Sequence, residues 1–150
     1  MTPQAQLQTT KVFNAIPPGV IKDNAAFVSN VIDTAGISYG EFHTALGALD
    51  IAAAVFKVQE SDTKTNDTTL GGTPADVVDV TTKPAATDDN GIFITGIDLT
   101  NKSRKRYIQL QVTGGDGSAG TYLASQFVAC VDGLSSNAAA DRGAVAVQYV

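Results

Sequence analysis

The chain has 150 residues, and 10 Lys and Arg against 15 Asp and Glu give it a formal net charge of −5 at pH 7. This acidic balance argues against DNA, RNA or an anionic membrane as the main partner. The single Cys excludes an intramolecular disulfide and a cysteine-based zinc site. The N-terminus lacks a basic segment followed by an apolar one, so no signal peptide is expected.

Short apolar runs alternate with turns rich in Gly, Asp, Asn and Pro along the whole chain. Strands are predicted, in chain order, at residues 11–16, 25–32, 37–42, 52–59, 76–81, 92–99, 104–113, 121–131 and 144–150. The run at residues 92–99 is apolar on both faces. Strands of this length and spacing are typical of an antiparallel sandwich or barrel.

Two of these segments also fit a helix. Residues 46–59 place Leu46, Leu49, Ala53 and Phe56 at helical spacing, but Gly47 and Asp50 disfavour a helix interior, so a strand is preferred. Residues 121–131 are assigned to a strand because the rest of the chain is predicted to be all-β.

Residues 104–113 have the clearest alternation, because every second side chain is aliphatic. Together with the neighbouring runs they predict a core of Phe56, Val58, Ile108, Leu110, Val112, Leu123 and Phe127. We therefore expect an all-β protein, a single antiparallel β-sandwich over residues 19–150.

Residues 1–18 are expected to form an extended N-terminal arm, because Pro17-Pro18 favours polyproline-like geometry. An apolar arm can add as a strand to the sheet edge of a partner. The candidate partner-binding residues at the two ends of the chain are Leu7, Val12, Phe13 and Ile16 in the arm and Tyr149 in the tail, residues 144–150.

Two sequence motifs imitate enzyme signatures. Gly36-Ile37-Ser38-Tyr39-Gly40 matches the G-x-S-x-G nucleophile elbow, but the only His, His43, lies five residues after the serine, and the elbow requires its His much later. Residues 115–120 match the dinucleotide-binding G-x-G-x-x-G, which requires repeated βαβ units. A strand and a hairpin turn are the preferred interpretations, and no catalytic activity is expected.

Cys130 lies in an apolar run and is expected to fill the core. Asp62, Asp67, Asp88 and Asp89 lie in predicted loops, where carboxylates can ligate Ca²⁺, but they lack EF-hand spacing. Neither a metal site nor a cofactor is expected.

A basic cluster precedes the strand at residues 104–113. It consists of Lys102, Arg104, Lys105 and Arg106, next to Tyr107. Such a cluster can bind nucleic acid or phosphate, can be a solvated turn, or can contact an acidic protein partner. The third possibility makes the four basic residues candidates for partner binding.

Three segments carry a recognisable pattern. They are residues 47–62, ending Lys57-Val58-Gln59-Glu60-Ser61-Asp62, residues 91–99, ending Ile97-Asp98-Leu99, and residues 105–113, beginning Lys105-Arg106-Tyr107-Ile108. Together they resemble the small cement, or decoration, proteins on the capsids of tailed bacteriophages. The resemblance covers roughly residues 37–132.

This resemblance implies a jelly-roll sandwich on the outer capsid surface of a virion. It implies a structural role, in which the protein stabilises the shell by bridging neighbouring subunits of the major capsid protein. A homo-oligomer, either dimer or trimer, is expected, with no nucleic-acid or membrane partner. The alternative is a small jelly-roll module of a phage particle that binds a ligand or receptor.

Overall fold

The computed structural model describes residues 9–77 and 82–131, and this part of the chain is built from antiparallel strands and the loops between them. The strands are β1 (Thr10–Ile16), β2 (Ala25–Val28), β3 (Ile32–Asp33), β4 (Ile37–Leu46), β5 (Val55–Ser61), β6 (Lys64–Asn66), β7 (Thr69–Leu70), β8 (Ala75–Asp76), β9 (Ile92–Asp98), β10 (Tyr107–Gly114) and β11 (Leu123–Val131). The predicted all-β class is confirmed.

The strands form two packed sheets. Sheet I has the order β1-β11-β4-β9, and sheet II has the order β2-β10-β5-β8. The short strand β3 pairs with the beginning of β10, and β2 pairs with its end. The short strands β6 and β7 pair only with each other. If β2 and β3 are counted as one interrupted strand, the chain alternates between the two sheets from β1 to β5 and again from β8 to β11, while β5 and β8 are neighbours in sheet II. This arrangement is jelly-roll-like, and the predicted sandwich is confirmed.

The core lies between the two sheets and consists of the predicted side chains. Phe56, Val58, Ile108, Leu110, Val112, Leu123 and Phe127 are all buried. Aromatic rings pack within one sheet and across the two. The ring centroids of Phe42 and Phe127, both in sheet I, are 4.7 Å apart. Those of Phe56 in sheet II and Phe93 in sheet I are 4.9 Å apart. The period-2 pattern therefore identified the inward side chains of β5, β10 and β11.

The ambiguous segment at residues 46–59 contains a loop and a strand. Its second half is β5, which pairs with β10 from Val55 to Ser61, and its first half is fixed by main-chain bonds such as that from Ala53 N to Pro84 O. At residues 76–81 the described part contains only the end of β8. The predicted strand at residues 144–150 lies outside the described residues.

The segment assigned to an arm requires a correction. Thr10–Ile16 is β1, an edge strand of sheet I, and it pairs with β11 with Phe13 opposite Phe127. Ala15 and Ile16 are buried. Residues 10–16 belong to the sandwich rather than to a free arm, because their inward side chains complete the core beside β11.

Candidate interaction surface

The serine of the elbow-like motif lies at the start of β4. Ser38 is the extra residue where the pairing of β4 with β11 shifts, and its Oγ donates a hydrogen bond of 3.3 Å to the carbonyl of Cys130. His43, on the same strand, instead bonds Glu41. The two side chains therefore bond different groups and not each other.

The glycine-rich motif is a turn, as expected, but not a hairpin. It connects β10 in sheet II to β11 in sheet I, and these two strands do not pair. Gly115 and Gly117 have positive φ angles of 83° and 97°, a conformation that favours glycine. The carboxylate of Asp23 accepts a hydrogen bond from the Gly117 N–H at 2.8 Å, which fixes the turn to the chain before β2.

The basic cluster lies in the loop between β9 and β10, and Arg106 is paired within the protein. Arg106 donates two hydrogen bonds to Asp33, of 2.9 Å and 2.8 Å. The Nζ of Lys105 lies 4.0 Å from the Asp62 carboxylate. Lys102 and Arg104 border a cavity of about 330 Å³ along β9. The four basic residues lie together in this loop, but the side chain of Arg106 is already bonded to Asp33.

The Arg106–Asp33 pair predicts a pH dependence. The hydrogen bond from Arg106 lowers the pKa of Asp33. A carboxyl whose pKa is lower in the folded state stabilises the fold above its unfolded pKa, about 3.9, and this contribution is lost as pH falls through the folded value. Arg106→Gln should therefore lower the Tm modestly at pH 7, because the pair is exposed, and the difference should vanish at acidic pH.

Thermal melts over a pH series measure this difference. The control is the same substitution in an Asp33→Asn background, where Arg106→Gln should lower the Tm much less because the carboxylate is already gone. A Tm difference for Arg106→Gln that persists unchanged below the carboxyl titration would contradict the assignment.

The outward side of sheet I is a broad surface with few charges. The strand register shows which outward side chains lie next to one another across β1, β11, β4 and β9. The apolar members of this outer face are Val12, Ala45, Ile92, Ile94, Ala124 and Val128. Ile92 and Ile94 are 70% and 57% exposed, and exposed aliphatic side chains grouped on one face are typical of an interaction surface.

A groove crosses one end of this outer face. It has a volume of about 350 Å³, a floor that includes Ala45 and Ala124, and walls that include Ile92 on one side and Ile16 and Pro18 on the other. The small side chains of the floor make the groove, because larger neighbours project above them. The groove fits apolar side chains of a partner.

The carboxylate at the centre of the outer face is hydrogen-bonded by its neighbours on the same strand. Tyr39 Oη donates to one Glu41 carboxylate oxygen at 2.9 Å, and His43 Nε2 lies 2.7 Å from the other. These hydrogen bonds, first that of His43 and then that of Tyr39, lower the pKa of Glu41. Partial burial and the bond to Glu41 raise the pKa of Tyr39. A partner covering this face therefore meets a carboxylate whose hydrogen bonds are already made.

The outward side of sheet II is polar by comparison. Lys57 forms an ion pair with Asp76 at 3.1 Å, and Gln59 bonds the same carboxylate at 2.8 Å. Gln109 donates to the carbonyls of Ser29 and Thr68, so the hairpin of β6 and β7 covers part of this side. Of the two sheet faces, that of sheet I is the better candidate for a protein contact.

The predicted partner-binding residues are divided by the structure. Val12 lies on the outer face of sheet I, whereas Phe13 turns inward, with its ring 6.0 Å from that of Phe127, and Ile16 is buried. Leu7 and Tyr149 lie outside the described residues.

Sequence reasoning missed most of the outer face. The only sequence feature that indicated this face was the predicted strand at residues 92–99, which is apolar on both sides. Since only one side of a strand in a two-sheet sandwich faces the core, the other apolar side had to be exposed. Cys130 was expected in the core and this was wrong, since it is exposed on the outer face opposite Tyr39. Its neighbours in sequence, Ala129 and Val131, occupy the inward positions because the strand alternates.

Within residues 9–77 and 82–131, no group of three or more His, Cys, Asp or Glu side chains is placed to hold a metal ion. The same residues contain no apolar helix long enough to cross a membrane. In comparisons with known proteins, no family model matches the chain and no curated protein matches it significantly.

Proposed function

We propose that this chain is a structural, non-catalytic virion protein that binds the outside of a bacteriophage capsid and stabilises it by bridging neighbouring major capsid protein subunits. The observation that carries the proposal is the outer face of sheet I, a largely apolar surface whose central carboxylate is already hydrogen-bonded, on an otherwise acidic protein. The jelly-roll sandwich and the resemblance of residues 37–132 to cement proteins support the same role.

The physical basis of binding is burial of the exposed aliphatic side chains of this face. Removing apolar surface from water contributes about 25 cal/mol per Å². The desolvation cost is small at the centre, because Glu41 keeps its bonds from Tyr39 and His43 when the face is covered. The basic residues Lys102 and Lys105, in the loop between β9 and β10, contribute long-range attraction to an acidic shell, which salt screens over about 8–10 Å.

The size of the face argues for several copies acting together. Four strands spaced about 4.8 Å apart and seven residues long present roughly 450 Å². Stable specific contacts bury about 800 Å² on each partner. One copy therefore falls short of a stable contact, and a homo-oligomer that presents more than one face reaches it.

Placing a charge on the outer face tests the proposal. Ala45→Glu introduces a carboxylate at an exposed position between Ile92 and Ala124. Burying an unpaired charge costs several kcal/mol, so binding to undecorated shells should weaken at least about tenfold. Co-sedimentation of purified protein with undecorated shells measures the effect.

The matched control is Val28→Glu, an exposed apolar strand position on the outward side of sheet II. It makes the same kind of change and should bind shells like the parent protein, and both variants should melt like the parent. Undiminished binding by Ala45→Glu would move the contact away from sheet I. Failure of the parent to bind shells at all would refute the proposed function.

A further inference from the structure

The outer face of sheet I contains the only histidine of the chain. His43 lies on β4 between two other outward positions, Glu41 towards the centre of the face and Ala45 in the floor of the groove. Histidine is the side chain that ordinarily changes charge between about pH 5 and pH 8. A partner that covers this face therefore covers a group that is neutral at one end of this range and cationic at the other.

The hydrogen bond between His43 and Glu41 identifies where the proton is gained. The Nε2 atom of His43 lies 2.7 Å from a carboxylate oxygen of Glu41. Hydrogen bonds from His43 and from Tyr39 lower the pKa of Glu41, so this carboxyl stays ionised. An ionised carboxylate only accepts hydrogen bonds, so Nε2 carries a hydrogen in both charge states of the imidazole. The second proton binds at Nδ1, and the hydrogen bond becomes an ion pair without movement of either side chain.

The strands that flank His43 place uncharged side chains beside it. On β11 its partner in the register is Gln126, and on β9 it is Ile94. Asn14 of β1 lies beyond Gln126 in the same row. The other described residues that border the groove next to His43 are uncharged as well.

The remaining titratable groups of this face are farther from His43. Tyr39, Cys130 and Asp98 form one row across β4, β11 and β9. This row lies four residues along the strand from His43, which is roughly 13 Å. Within the described part of the chain, the charged group that contacts His43 is therefore Glu41 alone.

Covering the face changes the relative free energies of the two charge states. The side chains of His43 and Glu41 are 38% and 33% exposed, so both lose water when a partner binds. With a neutral imidazole, the covered face holds a carboxylate without a counter-ion, which is unfavourable. With an imidazolium, it holds an ion pair of zero net charge, and the attraction within the pair strengthens as water leaves. The covered state therefore binds the proton more tightly than the free state.

We propose that binding of the outer face to the shell is coupled to protonation of His43, so that the contact tightens as the pH falls from 8 to 5. The inference rests on the proposed function and adds a pH control to the same surface. Coupling between two ligands is reciprocal, so a surface that gains a proton on binding the shell binds the shell better when protonated. A one-unit increase in proton affinity corresponds to a tenfold gain in binding.

Co-sedimentation with undecorated shells at a series of pH values from 5 to 8 tests the coupling. His43→Gln is the control, because Gln keeps an N–H donor near Glu41 but does not titrate. Its pH dependence measures the contribution of the shell and of the rest of the chain. Relative to this control, the parent should bind about tenfold more tightly at pH 5 than at pH 8. Circular dichroism at both pH values establishes that each protein is folded.

Glu41→Gln tests the role of the carboxylate, because it should reverse the sign of the pH dependence. Without Glu41, a protonated His43 is a covered cation that lacks a counter-ion. Binding by Glu41→Gln should therefore weaken as the pH falls, when it is compared with the double variant that also carries His43→Gln. A general effect of acidic pH on the shell would act equally on both proteins.

Isothermal titration calorimetry measures the proton itself. Binding at about pH 6.5, in two buffers of different ionisation enthalpy, should show proton uptake by the parent in excess of that by His43→Gln. Equal pH dependence in the parent and His43→Gln, no excess uptake, or the same sign in Glu41→Gln as in the parent would overturn the coupling and leave the proposed function standing. A folded parent that binds shells at no pH would refute both.

Discussion

Leu110→Asp is expected to unfold the domain. Leu110 is fully buried at the centre of β10, opposite Val58 of β5, and its N–H bonds the Ser29 hydroxyl. A carboxylate at this position has no partner, and burying an unpaired charge costs several kcal/mol. Because a domain of this kind has a total stability of about 5–15 kcal/mol, little or no folded protein should remain.

The adjacent substitution Gln111→Asp is the matched control. Gln111 is only partly buried, and its side chain lies on the outward side of sheet II beside Lys57. It should melt close to the parent when circular dichroism is followed with temperature. A Leu110→Asp variant that melts like Gln111→Asp would show that the inward face of β10 is wrongly assigned.

Gly40→Ala is expected to cause the second large loss of stability. A Cβ at this position of β4 would lie 2.1 Å from the Cζ atom of Phe127. The Phe127 ring cannot move away easily, because it is fully buried and packs against Phe42 and Phe13. Overpacking of this kind costs about 1–3 kcal/mol, which corresponds to a Tm decrease of several degrees for a chain of this length.

A double mutant separates this clash from a general effect on the strand. Phe127→Leu alone should destabilise by leaving a cavity, but it should cost much less in the Gly40→Ala background, because the smaller side chain makes room for the new methyl group. Gly19→Ala is the control, since its Cβ would meet only an ordinary contact of 3.8 Å. Additive losses in the double mutant would contradict the proposed packing.

The sequence by itself determined the position of most of the longer strands and, for β5, β10 and β11, which large apolar side chains face the interior. In β10, Ile108, Leu110 and Val112 alternate with polar residues, and apolar side chains at every second position are stable only when one side of a strand is buried. The same logic placed Phe56, Val58, Leu123 and Phe127 in the core. Local alternation is sufficient for these assignments because each depends only on neighbours along one strand.

Only the tertiary structure decided how the strands are arranged, and therefore where the candidate surface lies. The outer face of sheet I joins Val12, Val128, Ile94 and Ala45 from four strands far apart in the sequence. Their grouping depends on strand order and register. Register is set by packing of both sheets against a shared core, and a shift of one residue would turn every side chain to the opposite face.

The same reason accounts for the error at the chain's beginning, whereas the error at Cys130 has a local cause. Residues 10–16 have the composition of either an arm or a strand. The choice was made by pairing with β11, whose Phe127 lies 114 residues after its partner Phe13. Cys130 lies outside the core because β11 alternates and Ala129 already takes the inward position. Long-range pairing of this kind leaves no local signal in the sequence, so only the folded sheet reveals which face remains open.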